Sequence, residues 1–256
     1  MSILSIQSSV AYGHVGNSAA IFPLQRIGFE VWPVNTVHFS NHTGYGQWRG
    51  SVLHAEDVAD IIRGIEDRGV LPGCDAVLSG YMGDESLGEV VVGEVGRVKE
   101  LNSKAIYCCD PVMGDAGRSF YVGPGIPEFL KEVAVPAADV ITPNQFEGEF
   151  LTGVEVRDLD DALGAADEAR RLGPETVLTT SLRRWDAAAD TIEMLAVSGE
   201  GAWLVRPLLA LEVNGAGDAT AAPFLAHLLR YSTLAEALST TASTVYAVLE
   251  KTQRTG

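Results

Sequence analysis

The sequence has few cysteines and few positively charged residues. Its three cysteines, Cys74, Cys108 and Cys109, form no CxxC spacing, so neither a disulfide framework nor a zinc site is indicated. Lys and Arg number 18 against 34 Asp and Glu, which gives a formal net charge of −16. Such a chain repels phosphate backbones and anionic lipid surfaces at long range. We therefore expect no nucleic-acid partner and no membrane partner.

Several sequence signals are also absent. Residues 1–17 have no basic segment and soon meet polar residues, so we expect neither a secretory signal nor a transmembrane span. With unpaired cysteines, this favours a reducing cytoplasm. The five histidines show no HExxH or similar metal-ligand spacing, and no GxSxG motif supports a hydrolase triad.

Apolar runs typical of strands alternate with helical patterns along most of the 256 residues, and 46% of the residues are hydrophobic. We predict a single domain over residues 1–256, large enough to bury its own core. The predicted strands are Ile3–Gln7, Val31–Val37, Ala76–Leu78, Ala105–Cys109, Val140–Thr142 and Thr176–Thr179. The predicted helices are Asn17–Ile27, Ala55–Arg68, Gly88–Leu101, Leu159–Leu172, Gly217–Leu229 and Leu234–Leu249.

This alternation predicts βαβ units and a mainly parallel sheet covered by helices on both faces. All strands would then end at one edge of the sheet, where open α/β sheets bind their ligands. Two segments depart from the alternation. Residues 38–50 have no helical period and predict a flap. The turn at Ser198–Gly201 predicts an antiparallel hairpin over residues 191–205.

A glycine-containing turn, Asn214-Gly215-Ala216-Gly217-Asp218, precedes a predicted helix. Backbone N–H groups at such a turn converge on an anion, and the helix N-terminus adds positive potential. Asp218 is placed to accept a proton from a hydroxyl held beside a phosphate. The motif is neither a Walker A sequence nor a complete GxGxxG fingerprint. An ordinary helix cap is the alternative interpretation.

Carboxylates and an amide follow two further predicted strands. Asp110 and Asp115 come after the strand that ends at Cys109, while Asn144 and Glu147 lie three residues apart at a helix start and share a face. Such oxygens suit Mg²⁺ held through water beside phosphates. The alternatives are a solvated turn for the first pair and a capping box for the second.

Small polar residues follow the first predicted strand. These residues are Ser8, Ser9, Tyr12, Gly13, Gly16 and Asn17. A strand, a glycine loop and a helix in this order suggest dinucleotide binding, but the glycine spacing is wrong for it. The polar side chains would suit hydrogen bonds to a compact polar ring. The alternative is a loop that needs glycine only to turn.

Taken together, these segments resemble the pyridoxal kinases, a branch of the ribokinase-like superfamily of small-molecule kinases. The resemblance covers residues 2–254 and lies in SIQSSVAYGHVGNSAA, NTVHFSNHTGYG, LSGYMGD, CDPVMGD, TPNQFE and NGAGDAT. The GAGD and NxxE elements mark the superfamily, whereas SIQSxV and FSNHTGYG mark the pyridoxal branch. The resemblance implies a three-layer α/β/α fold with a mainly parallel sheet, a small antiparallel portion and a flap.

The implied activity is ATP-dependent phosphorylation of the 5′-hydroxymethyl group of pyridoxal, with Mg²⁺ and a homodimer. Any monovalent activator and the preference among B6 vitamers stay open. Asp218 matches the catalytic base, and Gly215, Ala216 and Gly217 match the anion hole. The remaining matches are Ser8, Thr43, Gly44 and Tyr81 around the pyridine ring, Asp110 and Glu147 at Mg²⁺, and Thr142, Asn144, Thr180, Arg206, Pro207, Leu208 and Leu209 at the nucleotide.

Two departures from the family and three alternatives accompany this assignment. Many bacterial members have Lys where this chain has Thr180, and members usually continue beyond the last residue of this sequence. A hydroxymethylpyrimidine kinase shares the fold and differs in substrate preference. A non-catalytic B6-binding protein would consume no ATP. A nicotinamide-dependent oxidoreductase is disfavoured by the incomplete glycine fingerprint.

Overall fold

Strands and helices alternate along the chain in the computed structural model, which describes residues 1–188, 192–208, 213–231 and 233–255. The strands are β1 (Ser2–Tyr12), β2 (Glu30–Asn41), β3 (Gly50–Val52), β4 (Cys74–Ser79), β5 (Ile106–Cys109), β6 (Gly114–Asp115), β7 (Ser119–Phe120), β8 (Val140–Ile141), β9 (Thr176–Leu182), β10 (Ile192–Ser198) and β11 (Gly201–Leu208). The helices are α1 (Asn17–Ile27), α2 (Ala55–Glu66), α3 (Glu85–Leu101), α4 (Ile126–Phe129), α5 (Val135–Ala137), α6 (Gln145–Thr152), α7 (Leu159–Arg171), α8 (Asp218–Arg230) and α9 (Leu234–Thr255). Shorter helical turns span Thr43–Tyr45, Leu71–Gly73 and Leu130–Ala134.

One mixed sheet contains nine of these strands, in the order β11-β10-β9-β8-β5-β4-β1-β2-β3. The six strands from β2 to β9 in this order are parallel, while β3 is antiparallel to β2 and β10 is antiparallel to both of its neighbours. The predicted hairpin is confirmed by β10 and β11. Its first predicted residue, at position 191, lies outside the described residues.

Two apolar cores lie on opposite faces of the sheet. One contains Val58 of α2, Val91 of α3 and Ala166 of α7. The other contains Leu24 of α1, Phe224 of α8 and Leu238 of α9. Each helix buries one apolar stripe against the strands, which themselves are apolar on both faces. The structure is therefore the three-layer α/β/α arrangement that the sequence predicts.

Local signals explain most element boundaries. Helix α1 has the predicted bounds and stops at Gly28, whose φ of 101° suits glycine. Helix α3 begins at Glu85, earlier than predicted, because the Asp84 side chain accepts a hydrogen bond of 2.9 Å from the Ser86 N–H. Within the described residues, no helix is long and apolar enough to cross a membrane.

The predicted flap over residues 38–50 is a regular extension of the sheet. Strand β2 continues to Asn41, and the turn Thr43–Tyr45 reverses the chain. Strand β3 then pairs with residues 37–39 of β2. Strand β1 likewise runs past its predicted end, to Tyr12. The extended ends of β1 and β2, together with β3, form one side of the space beside the carboxyl ends of the parallel strands.

Candidate functional site

A pocket opens at the carboxyl ends of the parallel strands, where the sequence predicts the ligand edge. Its volume, including the open mouth, is about 1050 Å³. Twelve of the predicted site residues line it: Ser8, Thr43, Tyr81, Asp110, Thr142, Asn144, Glu147, Thr180, Gly215, Ala216, Gly217 and Asp218. Residues far apart in the chain thus meet because they lie in the last part of a strand or after a strand that ends at this edge.

The remaining predicted residues are not among the lining residues that the structure describes. Gly44 is not among the lining residues, although its N–H donates a 3.0 Å hydrogen bond to Nδ1 of His42, which does line the pocket. The backbone of Arg206-Pro207-Leu208 forms the end of β11, and Leu209 lies outside the described residues. Contact of that segment with a nucleotide stays a prediction.

The glycine turn before α8 is tightly constrained. Gly215 has a φ of 87°, and a Cβ there would lie 1.9 Å from the carbonyl oxygen of His14, so only glycine fits. The N–H groups of Ala216 and Gly217 donate no hydrogen bond to any residue in the described part of the chain. Asp218 follows as the first residue of α8. Free N–H groups at a helix N-terminus form an anion site.

Three of the carboxylates that line the pocket, those of Asp110, Glu147 and Asp218, form no ion pair with any residue in the described part of the chain. Burial raises the pKa of Asp110 well above its usual range, and the negative charges of Glu147 and Asp218 raise it further. Burial also raises the pKa of Glu147 to about 8, and that of Asp218 to about 6. Carboxylates held this close in a desolvated place favour a cation.

Asn144 and Glu147 form the capping box that the sequence left as an alternative. The Asn144 side chain accepts from the Glu147 N–H at 2.9 Å, and Glu147 Oε2 accepts from the Asn144 N–H at 2.9 Å. Glu147 Oε1 accepts a 3.0 Å bond from the Met113 N–H. Both residues also line the pocket, so the capping box is confirmed and it positions Glu147 there, while a role at Mg²⁺ stays a prediction.

The pocket residues fit a hydrated Mg²⁺. Asp110 and Glu147 supply the oxygen ligands that Mg²⁺ prefers. The buried hydroxyl of Thr142 has no partner within hydrogen-bond distance in the described ranges, although it lies close enough to Asp110 to lower the pKa of that carboxyl. No cluster of three or more His, Cys, Asp or Glu among those residues could ligate a metal directly. Binding of Mg²⁺ through water stays a prediction.

Strand β9 is irregular where it lines the pocket. Ser181 has a φ of 52°, a left-handed conformation that is uncommon for serine, and the pairing with β10 shifts register there. The preceding Thr180 is buried, and its N–H donates a 2.8 Å bond to the Pro143 carbonyl. The irregularity keeps Thr180 and Ser181 both at the pocket.

The opposite side of the pocket is apolar and aromatic. Ser8 of β1 lines the pocket together with Val10, Val37, Phe39 and Tyr81, and the last four pack together as one apolar cluster. The Phe39 ring lies 4.1 Å from the Trp48 ring, centroid to centroid. Such a surface suits a flat heteroaromatic ring, with a few polar groups to orient it.

Sequence reasoning missed several polar lining residues as individual contributors, among them His42, Arg118 and Asn214. Burial and the nearby Arg118 lower the pKa of His42, so its ring is neutral at pH 7. Arg118 lies in the turn between β6 and β7. Strands β6 and β7 have two residues each, which is too short to show a hydrophobic period. No sequence pattern could therefore have indicated these two strands or the turn that contains Arg118.

Comparisons with known proteins agree with this geometry. The family model described as phosphomethylpyrimidine kinase matches residues 60–256. The chain is 70% identical to the pyridoxal kinase PdxY of Rubrobacter xylanophilus, covering 100% of this chain and 89% of that protein. It is 56% identical to the pyridoxal kinase PdxY of Deinococcus radiodurans, covering 99% and 88%. The structure of a Leishmania donovani pyridoxal kinase in complex with ADP and pyridoxine matches with a TM-score of 0.91 and 32% identity, covering 100% and 88%.

Proposed function

The chain belongs to the pyridoxal kinases within the phosphomethylpyrimidine kinase family, and we propose that this pocket transfers the γ-phosphoryl group of ATP to the 5′-hydroxymethyl group of pyridoxal. ATP is the phosphoryl donor, and B6 vitamers are the acceptors. One observation carries the assignment of the site. Asp218 begins α8 directly after two free backbone N–H groups, in the pocket that also contains Asp110 and Glu147.

Asp218 acts as the base. With a pKa of about 6 it is mostly ionised at neutral pH, yet it is a stronger proton acceptor than an ordinary aspartate. The substrate oxygen forms its bond to the γ-phosphorus while the bond from that phosphorus to the bridging oxygen of ADP breaks. The hydroxyl proton becomes strongly acidic only as the new bond forms, and it then passes to the Asp218 carboxylate.

The turn before α8 stabilises the transferring group. The N–H groups of Ala216 and Gly217 point toward no other acceptor in the described residues, and the N-terminus of α8 adds positive potential. Because Gly215 fixes the turn, these donors need no reorganisation during the reaction. In other enzymes, removing one comparable donor costs about 3–4 kcal/mol of transition-state stabilisation.

Mg²⁺ would be held through water by Asp110 and Glu147. When bound, it supplies positive charge that offsets the charge of the β- and γ-phosphates. The capping box holds Glu147 rigidly, and Asp110 is fixed at the end of β5, where its N–H donates a 2.9 Å bond to the Ser79 carbonyl. Both carboxylates are buried, so few waters compete for them.

We assign each side of the pocket to a different substrate. Ser8, Thr43 and Tyr81 lie with the apolar and aromatic wall, which we assign to the pyridine ring. Thr142, Asn144 and Thr180 lie at the ends of β8 and β9, which we assign to the nucleotide, together with the segment 206–209. We further propose that residues 1–256 form one domain and that the protein is a homodimer, which light scattering in solution would test.

The first experiment measures ADP production with Mg²⁺ and ATP in the presence of pyridoxal, of hydroxymethylpyrimidine, or of no acceptor. We expect turnover that depends on pyridoxal. Preference for hydroxymethylpyrimidine would assign the chain to the pyrimidine branch of the family. Tight pyridoxal binding without ADP production from any acceptor would identify a binding protein and contradict the proposal.

The second experiment tests the base. We expect Asp218→Ala to lower kcat by at least about 100-fold, because general bases contribute about 10² to 10⁴ in rate. Pyridoxal binding, followed by its absorbance, should change little. If the variant keeps more than about a tenth of the wild-type rate, the loss is below about 1.4 kcal/mol and Asp218 is not the base.

A further inference from the structure

Negative side chains dominate the charged lining of the pocket. Four carboxylates line it, those of Asp110, Asp115, Glu147 and Asp218. Among the lining residues in the described part of the chain, Arg118 is the one Arg or Lys. Of these charged side chains in the described part of the chain, that of Arg118 alone attracts a phosphate that enters the pocket, whereas each ionised carboxylate repels it.

Arg118 lies at the pocket mouth beside the proposed anion site. Its Nη1 donates a 3.3 Å hydrogen bond to Oδ1 of Asn214, the residue directly before the Gly215–Gly217 turn. Its backbone N–H donates a 3.0 Å bond to the Asp115 carbonyl, which closes the turn between β6 and β7. The guanidinium thus reaches across the pocket from one sheet edge to the turn that precedes α8.

The guanidinium has unused binding capacity. It carries five N–H donors, and the bond to Asn214 is its one side-chain hydrogen bond in the described ranges. No carboxylate of those ranges lies within ion-pair distance of it, although Asp115 is three residues away in sequence. A neutral amide therefore orients the side chain, while its charge and most of its donors stay available for an oxyanion.

We propose that Arg118 contacts the γ-phosphoryl group of ATP during its transfer, as a catalytic residue. This inference rests on the proposed function. The guanidinium donates to the non-bridging oxygens of the phosphoryl group while the bond from the substrate oxygen to phosphorus forms and the bond to the ADP oxygen breaks. The substrate proton passes to Asp218, and ADP leaves. Positive side chains placed in this way accelerate phosphoryl transfer in other enzymes by about 10³ to 10⁵.

The test compares Arg118→Ala and Arg118→Lys with the wild type. Arg68→Ala is the matched control, because Arg68 is an exposed residue after α2, outside the pocket. With both substrates saturating, we expect kcat to fall at least about 100-fold in Arg118→Ala. We expect a smaller fall in Arg118→Lys, because lysine keeps the positive charge but lacks the planar set of N–H donors of the guanidinium. Pyridoxal binding without ATP should be unchanged, and added guanidinium ion should restore part of the rate of Arg118→Ala.

Two results would overturn the inference. The first is a kcat for Arg118→Ala within about twofold of the wild-type value, equal to that of the Arg68→Ala control. The second is a reduced kcat that guanidinium ion does not restore, together with weakened pyridoxal binding. That result would show that Arg118 supports the neighbouring turn at Gly44, where a Cβ would lie 3.3 Å from Nη1. An inactive wild-type protein would refute the proposed function itself.

Discussion

Burial raises the pKa of Asp218 to about 6, so the proposed base changes its protonation state within an accessible pH range. Asp218 accepts a proton only when it is ionised. We therefore expect kcat to be constant between about pH 7 and 8 and to fall below about pH 6, approaching tenfold per pH unit. The measurement is a pH profile of kcat at saturating Mg²⁺, ATP and pyridoxal.

A control distinguishes protonation of the base from a pH-dependent loss of ATP binding. ATP binding to Asp218→Asn over the same pH range reports any loss of affinity that does not involve the base. A wild-type kcat that stays flat down to about pH 5 would contradict the role of Asp218 as a base that titrates near pH 6.

Single residues differ in how far the sequence could predict them. Asp110, Glu147 and Asp218 each follow a turn after a strand or open a helix, so chain order alone places them at one sheet edge. The sequence could not decide whether Glu147 caps a helix or faces a ligand, because both roles need the same spacing; the structure shows the cap and places Glu147 in the pocket lining. Arg118 was missed because its neighbours come from tertiary structure: Asn214 is 96 residues away.

At the scale of elements, helix α3 contains two glycines with opposite surroundings. A Cβ at Gly88 would lie 2.4 Å from Cε1 of Phe129, whereas a Cβ at Gly93 would meet no atom within 4 Å. We expect Gly93→Ala to stabilise the protein by about 0.5–1 kcal/mol through helix propensity. We expect Gly88→Ala to destabilise it by about 1–3 kcal/mol, because the Phe129 ring must move within a packed core.

Denaturant unfolding of the two variants measures this difference directly, since each is the other's control for backbone effects in one helix. Equal changes in the free energy of unfolding would contradict the close packing of α3 against Phe129.

Most long elements were predicted from the sequence, whereas among the strands of two or three residues only β8 was. Helix α1 spans 11 residues and has the predicted bounds, because its apolar period and the Gly28 stop agree. Strands β3, β6 and β7 have two or three residues and were not predicted. Strand β2 outlasts its prediction because the return of β3 supplies pairing partners for residues 37–39, which is information from outside the strand.

At the scale of the whole molecule, the carboxylates that suit the site for ligand binding destabilise the folded protein when no ligand is bound. The chain has a net charge of −16 and places three buried or half-buried carboxylates in one pocket. These groups suit a cation, but in the ligand-free protein their charges repel one another. Sequence composition showed the excess of negative charge, whereas only the fold shows that part of it is concentrated at the ligand edge.

This concentration leads to a prediction about stability. The folded-state pKa of Asp218, about 6, lies above the unfolded value, so the folded protein binds this proton more tightly than the unfolded chain does. The contribution of Asp218 to the free energy of unfolding therefore decreases as the pH rises through about 4 to 6, and is lowest above that window. We expect Asp218→Asn, which removes the charge, to have a higher Tm than the wild type at pH 8 and a similar Tm near pH 4.

Thermal denaturation of both proteins at the two pH values, without nucleotide, tests this expectation. General repulsion from the net charge acts almost equally on both proteins, so the difference in Tm isolates the pocket. Adding Mg²⁺ and ADP should raise the wild-type Tm at pH 8, because ligands that bind only the folded state stabilise it. A Tm of Asp218→Asn at or below the wild-type value at pH 8 would show that the Asp218 carboxylate is not destabilising. The pocket would then have to compensate its negative charge by contacts other than a bound cation.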